Sequence, residues 1–145
     1  MFSSTSHFAS RNPSAAAYRE ISATTALDGA SPHKLVSLLY SALATQVANA
    51  RGAIDRQDIT EKCRAIAHAV RIVEEGLRAP LDMRGGGSIA QNLHDLYEYI
   101  VRRLTLANLK NDGAALSECA VLVQTLREGW DGIADQVHPA PKATA

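Results

Sequence analysis

Five histidines and two cysteines are the residues of this 145-residue sequence best able to hold a metal. Two side chains on one helix reach a common ion only when they stand three or four residues apart. No two histidines, and no histidine with a cysteine, have that spacing. His94 and Glu98 are four apart and read as a solvated surface pair. Cys63 and Cys119 have no CxxC neighbour, so they are expected to be reduced and to pack as small hydrophobes. Gly85-Gly86-Gly87 precedes a helical pattern, as an anion-binding loop does, but no strand comes before it and no Gly-Lys-Ser/Thr follows. It reads instead as a turn needing positive φ. Glu74-Glu75 and Arg102-Arg103 are short charged runs on outer faces. No nucleophile stands beside a base, and no carboxylate pair falls in an apolar stretch. Enzymatic activity, a metal site and a cofactor are therefore not expected.

Composition points the same way. The 15 basic and 15 acidic residues cancel, whereas a nucleic-acid binder carries a basic excess. The sequence contains no run approaching about 18 uninterrupted apolar residues, the length that could span a bilayer. The N-terminus lacks the charged and apolar regions of a secretory signal, so a cytoplasmic location is expected. The sequence is 46% hydrophobic yet only 5% aromatic. That balance favours helices packed on helices over a sheet, with proteins as partners.

The elements that would carry such a surface follow from periodicity. Residues 1–13 are polar and read as a flexible arm, and 138–145 as a disordered tail. A helical domain spans 14–137. A short helix over about 14–24 shows Ala15, Tyr18 and Ile21 at steps of three. The spacing predicts long helices over about 32–55, 58–79, 88–110 and 113–137. Ser31-Pro32 caps the first, with a stripe of Val36, Leu39, Leu43, Val47, Ala50 and Ile54. Asp58 to Glu61 forms a capping box before Ile59, Cys63, Ile66, Val70, Val73 and Leu77. Ser88 to Gln91 resembles a second box, before Ile89, Leu93, Leu96, Ile100, Leu104 and Ala107. Asp112 is placed to cap the fourth, with Leu116, Cys119, Val123, Leu126, Trp130, Ile133 and Val137. Four stripes with a period near 3.5 and short connections specify an antiparallel four-helix bundle, up-down-up-down. The short N-terminal helix would pack across it.

Two helices carry more apolar residues than one core face needs. Leu35, Leu38 and Ala42 flank the first stripe, with Tyr40 outside both rows. Ala90, Tyr97 and Val101 flank the third. The rows read either as a wide core face or as a groove for an amphipathic partner helix. In the second case Tyr18 and Ile21 would cover the groove while it is empty.

Between the stripes stands an ordered set of motifs. Ala30-Ser-Pro-His-Lys-Leu35 precedes Leu38-Leu39-Tyr40, and Leu81-Asp-Met83, Gly86-Gly87, Ile89-Ala90 and Asn92-Leu93 follow. Leu96-Tyr97-Glu98-Tyr99, Arg102-Arg103-Leu104, Ala107-Asn108, Asn111-Asp112, Leu126-Arg127 and Trp130 complete it. From about Tyr18 to Trp130 the chain closely resembles the flagellar secretion chaperone family FliS. The resemblance implies a cytoplasmic helical bundle that binds the disordered C-terminal region of flagellin, prevents premature polymerisation and delivers it to the flagellar type III export gate. It implies a role in flagellin binding for Tyr18. With the extra apolar rows, it points to Tyr18, Ile21, Leu35, Leu38, Ala42, Tyr97 and Val101 as the flagellin-binding set. Ser31, Pro32, Asn92, Arg103, Asn108 and Trp130 are expected to tie helix ends together. Gly129, where the family commonly has another residue, costs its helix about 1 kcal/mol relative to Ala. Partners would be flagellin and export-gate components, with the chain a monomer or weak homodimer. The competing expectation is a self-associating scaffold, or a regulator that sequesters another helical protein.

Overall fold

The structure, a computed structural model, describes residues 31–137, with side chains through Ile133. Ser31 opens α1 (Pro32–Asp55): its Oγ accepts the Lys34 N–H at 3.1 Å, and Pro32 takes the first helical position. Gln57, at φ 58°, turns the chain. Asp58 then caps α2 (Ile59–Arg71) by accepting the Glu61 N–H at 3.1 Å. The capping box is only half formed. Glu61 turns to Arg64 at 2.6 Å, while the Asp58 N–H bonds Ala53 O at 2.8 Å.

The second helix does not remain α-helical to its end. Ile72–Arg78 is a π-helical continuation, with bonds such as Ala79 N–H to Glu74 O at 3.0 Å. The wider turn brings both Ile72 and Val73, and then both Gly76 and Leu77, to the inside. Gly76 packs closely there: a Cβ would stand 3.0 Å from Leu39 Cδ2, so a larger residue would have to shift that leucine by a few tenths of an ångström.

The turn before α3 (Gly87–Lys110) corrects one expectation. Ser88 is not an N-cap: the helix is already under way at Gly87, and its cap, Gly86, gives no side-chain bond. Asp82 organises the turn instead, its Oδ1 accepting the Arg84 and Gly85 N–H groups at 3.2 and 2.8 Å. A Cβ on Gly86 would fall 2.7 Å from Asp82 O, and Gly87 takes φ +59°. The chain thus needs glycine at both positions. Asn111 ends α3 in the left-handed region at φ 53°. Asp112 caps α4 (Gly113–Val137), accepting the Ala114 and Ala115 N–H groups at 3.0 and 3.1 Å.

α1 packs on α2 and α4, and α3 packs on the same two, so α1 and α3 lie diagonally across an all-helical bundle. The pairs are antiparallel. Ser37 near the start of α1 bonds Asp131 near the end of α4, and Lys62 near the start of α2 bonds Asn108 near the end of α3. Leu39, Leu43, Val47, Ile66, Val73, Ile100, Leu104, Leu116, Cys119 and Val123 fill the core. Each buried side chain of Val or Leu size contributes about 2 kcal/mol.

In the first turns of α2 the inward face is Lys62, Ala65, Ile66 and Ala69 rather than the Ile59–Cys63 row. Ile59 is 55% exposed and Cys63 is exposed. Lys62, only 4% exposed, buries its methylene stem and sends its amine to Asn108 O at 2.9 Å and Asn111 Oδ1 at 2.6 Å. Ile89, at 71% exposed, likewise leaves the core stripe of α3. The short N-terminal helix expected over 14–24 and the arm and tail lie outside the described residues.

Candidate partner-binding face

On α1, Leu39 and Leu43 point into the core, and this sets the direction of their neighbours. Leu35, Leu38 and Ala42, spaced three and four apart, are all half-buried on one flank of that helix. Ala42 also touches the core cluster, as does the half-buried Val101 of α3. Tyr18 and Ile21 lie outside the described residues.

Tyr97 is not on the surface. It is 2% exposed, and its hydroxyl lies 2.6 Å from that of Tyr40, itself 2% exposed. The two rings therefore join α1 to α3 across the diagonal of the bundle. Burial pushes the Tyr40 hydroxyl above its ordinary pKa, partly offset by the bond to Tyr97. Helical spacing alone assigns Tyr97 to the groove and Tyr40 outside both rows, whereas both are core residues. Each phenol is admitted to the core by the hydrogen bond it makes to the other, which removes the cost of burying an unpaired hydroxyl.

The diagonal placement of α1 and α3 separates the remaining residues. Leu38 lines a cleft of about 180 Å³ between α1 and α4, with Lys34, Ser37, Tyr40, Ser41, Arg127 and Asp131. Val101 lines a different depression, between α2 and α3, with Glu74, Arg78, Glu98 and Arg102. The row on α1 and the residue on α3 therefore open onto different seams.

The residues expected to tie helix ends divide in the same way. Trp130 donates its indole N–H to His33 O at 3.0 Å, and His33 Nε2 lies 3.0 Å from Trp130 O. The two rings stack with centroids 4.5 Å apart. His33 thus locks the start of α1 to the end of α4. The pair is 97 residues apart in sequence, and no local signal announces it. Arg103 pairs with Glu118 at 2.7 Å, and Tyr99 donates to the same carboxylate at 2.5 Å. The hydrogen bond from Tyr99, then that from Arg103, hold the Glu118 carboxyl below its usual pKa. Asn108 offers its carbonyl to Lys62 and its Oδ1 to the Cys63 thiol, while Asn92 is exposed.

His94, Asp95 and Glu98 bring one ligand atom each within 4.8 Å of one another. Glu98 already faces Arg78 at 3.7 Å, and Asp95 accepts from Gln91 at 2.8 Å. A cation there would share Glu98 with Arg78 and Asp95 with Gln91. Burial pushes the Cys119 thiol up to about 12, which keeps it protonated and unreactive. No helix among the described residues is long and apolar enough to cross a membrane.

Comparison with known proteins adds the wider context. Residues 14–137 match the model of the family described as flagellar protein FliS. The chain is 38% identical over 128 residues to the flagellar secretion chaperone FliS of Salmonella typhimurium, covering 88% of this chain and 90% of that protein. It is 41% identical over 116 residues to the flagellar secretion chaperone FliSB of Pseudomonas aeruginosa, covering 80% and 91%. A more distant relative, FliS of Bacillus subtilis, is 29% identical over 114 residues, covering 79% and 80%. With a family match across nearly the whole helical bundle, this chain belongs to the FliS family of flagellar proteins.

Proposed function

We propose that the protein is a cytoplasmic export chaperone. It binds the disordered C-terminal region of flagellin, prevents its premature polymerisation and delivers it to the flagellar type III secretion apparatus. The observation that carries this reading is the family match over residues 14–137, together with relatives that are themselves flagellar secretion chaperones. The half-buried row of Leu35, Leu38 and Ala42 supports it, because an amphipathic client helix can cover such a row while leaving the α1 core face in place. Tyr18, Ile21 and Val101 complete the client surface in this reading, and Tyr97 acts on it from inside by bracing α1 against α3. A client that orders only on binding loses conformational entropy, so its affinity stays moderate for the area covered and it can be released.

Calorimetry with a peptide from the C-terminal region of flagellin tests the proposal. One-to-one binding is expected, with Leu38→Asp combined with Tyr18→Ala weakening it at least about tenfold. Absence of binding to the unmodified chain overturns it. Sedimentation over a concentration range separates it from the scaffold alternative, which requires a dimer that the peptide cannot dissociate.

A further inference from the structure

Three seams of the bundle differ in how their charges are met. Between α3 and α4, Arg103 is paired with Glu118 at 2.7 Å. Between α2 and α3, Arg78 faces Glu74 at 3.5 Å and Glu98 at 3.7 Å, and Arg102 joins two glutamates and an arginine around a neutral depression. The cleft between α1 and α4 is not balanced in this way. Lys34 and Arg127 line it against a single carboxylate, Asp131. Asp131 already accepts the Ser37 hydroxyl at 3.3 Å. The partner of the half-buried Arg127 guanidinium among the described residues is Ser41 Oγ at 3.3 Å, one contact for a group with five N–H donors. Neither Lys34 nor Arg127 has a carboxylate within ion-pair distance among the described residues.

Leu38 connects this cleft to the apolar row, since it belongs to both. A segment lying along Leu35, Leu38 and Ala42 therefore has on one flank two cations with no ion-paired carboxylate among the described residues, and two serine hydroxyls. Guanidinium and ammonium groups without a counter-charge, at a rim that bound peptide would partly dehydrate, favour a carboxylate as their occupant. We infer that the α1–α4 cleft is an acid-reading subsite, in which Arg127 and Lys34 take a carboxylate of the bound segment while its apolar side chains lie on the row. The inference rests on the reading of the chain as a holder of a flagellin segment. It adds a requirement for an acidic group beside the client's apolar stripe and gives the cleft a part in partner choice.

The test titrates a flagellin C-terminal peptide into the full chain at low and high salt. Arg127→Gln with Lys34→Gln is expected to weaken binding about tenfold and to flatten its salt dependence. Arg127→Lys should retain most of the salt slope, and it keeps the test decisive if the double variant melts early. A peptide with Asp and Glu replaced by Asn and Gln should lose the same factor against the unmodified chain and nothing further against the double variant. If amidation of the peptide's terminal carboxylate produces that loss instead, the chain end is the group being read. Binding by the double variant equal to that of the unmodified chain at both salt concentrations overturns the subsite and leaves the chaperone reading intact. Failure of the unmodified chain to bind any peptide overturns the chaperone reading, and the subsite with it.

Discussion

The two ends of the bundle are built on different physical terms. The end holding the α1–α2 and α3–α4 turns is rich in buried alanine: Ala50, Ala53, Ala65, Ala107 and Ala115 are all fully buried there, beside Leu116. Helices can approach closely there, and the one long polar group, Lys62, is satisfied by two acceptors at the end of α3. At the opposite end the interior holds Leu39, Tyr40, Leu77 and Tyr97, with His33 stacked on Trp130 at the rim. Here the π-helical turn widens α2, glycines shape the turn into α3, and the cationic cleft opens beside Leu38. The close-packed end fixes the hairpins. The wider end places large side chains and unbalanced charge where a partner can meet them.

Substitutions that challenge this contrast should differ in size. The largest effect is expected for Leu39→Ala at the aromatic end. It removes a fully buried side chain that rests on Gly76 and should destabilise the fold by about 3 kcal/mol in denaturant unfolding. At the alanine end the opposite change is the damaging one. Ala107→Leu adds three carbons at a fully buried position and should cost about 2 kcal/mol, whereas a similar enlargement at half-buried Ala42 should cost less than half as much. Equal losses at Ala107 and Ala42 would show that enclosure at the alanine end does not limit what the site accepts.

Tyr97→Phe comes next. It leaves the Tyr40 hydroxyl buried without its partner and should cost about 1–2 kcal/mol by thermal unfolding. The same pair predicts alkaline sensitivity. Because burial raises the Tyr40 pKa above 10.0, the native state keeps a proton that the unfolded chain releases. The resulting stability is present below that value and is lost as pH rises through the folded pKa. Tyr40→Phe should flatten the alkaline limb of a melting profile. Cys119, raised from 9.0 to about 12, contributes in the same direction, and Cys119→Ala separates its share.

The smallest effect belongs to the partly solvated Glu118 cluster. Its carboxyl is held below 4.5, chiefly by Tyr99, so its contribution is present above that value and fades as pH falls through the folded pKa. Tyr99→Phe should reduce the acid sensitivity of the melting temperature between about pH 5 and pH 3. An unchanged profile would remove this cluster from the account.

Amino-acid order alone determined the fold class. Apolar residues at alternating steps of three and four specify inward faces, and the Ser31, Asp58 and Asp112 caps depend on groups within three residues. The row of Leu35, Leu38 and Ala42 was legible for the same reason, since helical periodicity assigns a direction to each side chain. Packing decided what periodicity could not. Lys62 enters the core because Asn108 and Asn111, at the end of another helix, satisfy its amine, while Cys63 one residue later faces outward. Ile72 and Val73 both turn inward because the chain is π-helical over Ile72–Arg78, a change that apolar spacing does not announce. Tyr40 and Tyr97, 57 residues apart, become core residues because each supplies the other's hydrogen bond. Sequence spacing reports which face of its own helix a residue occupies. Whether that face meets water, another helix or an unpaired charge is set by neighbours distant in the chain, and only the tertiary structure brings them together.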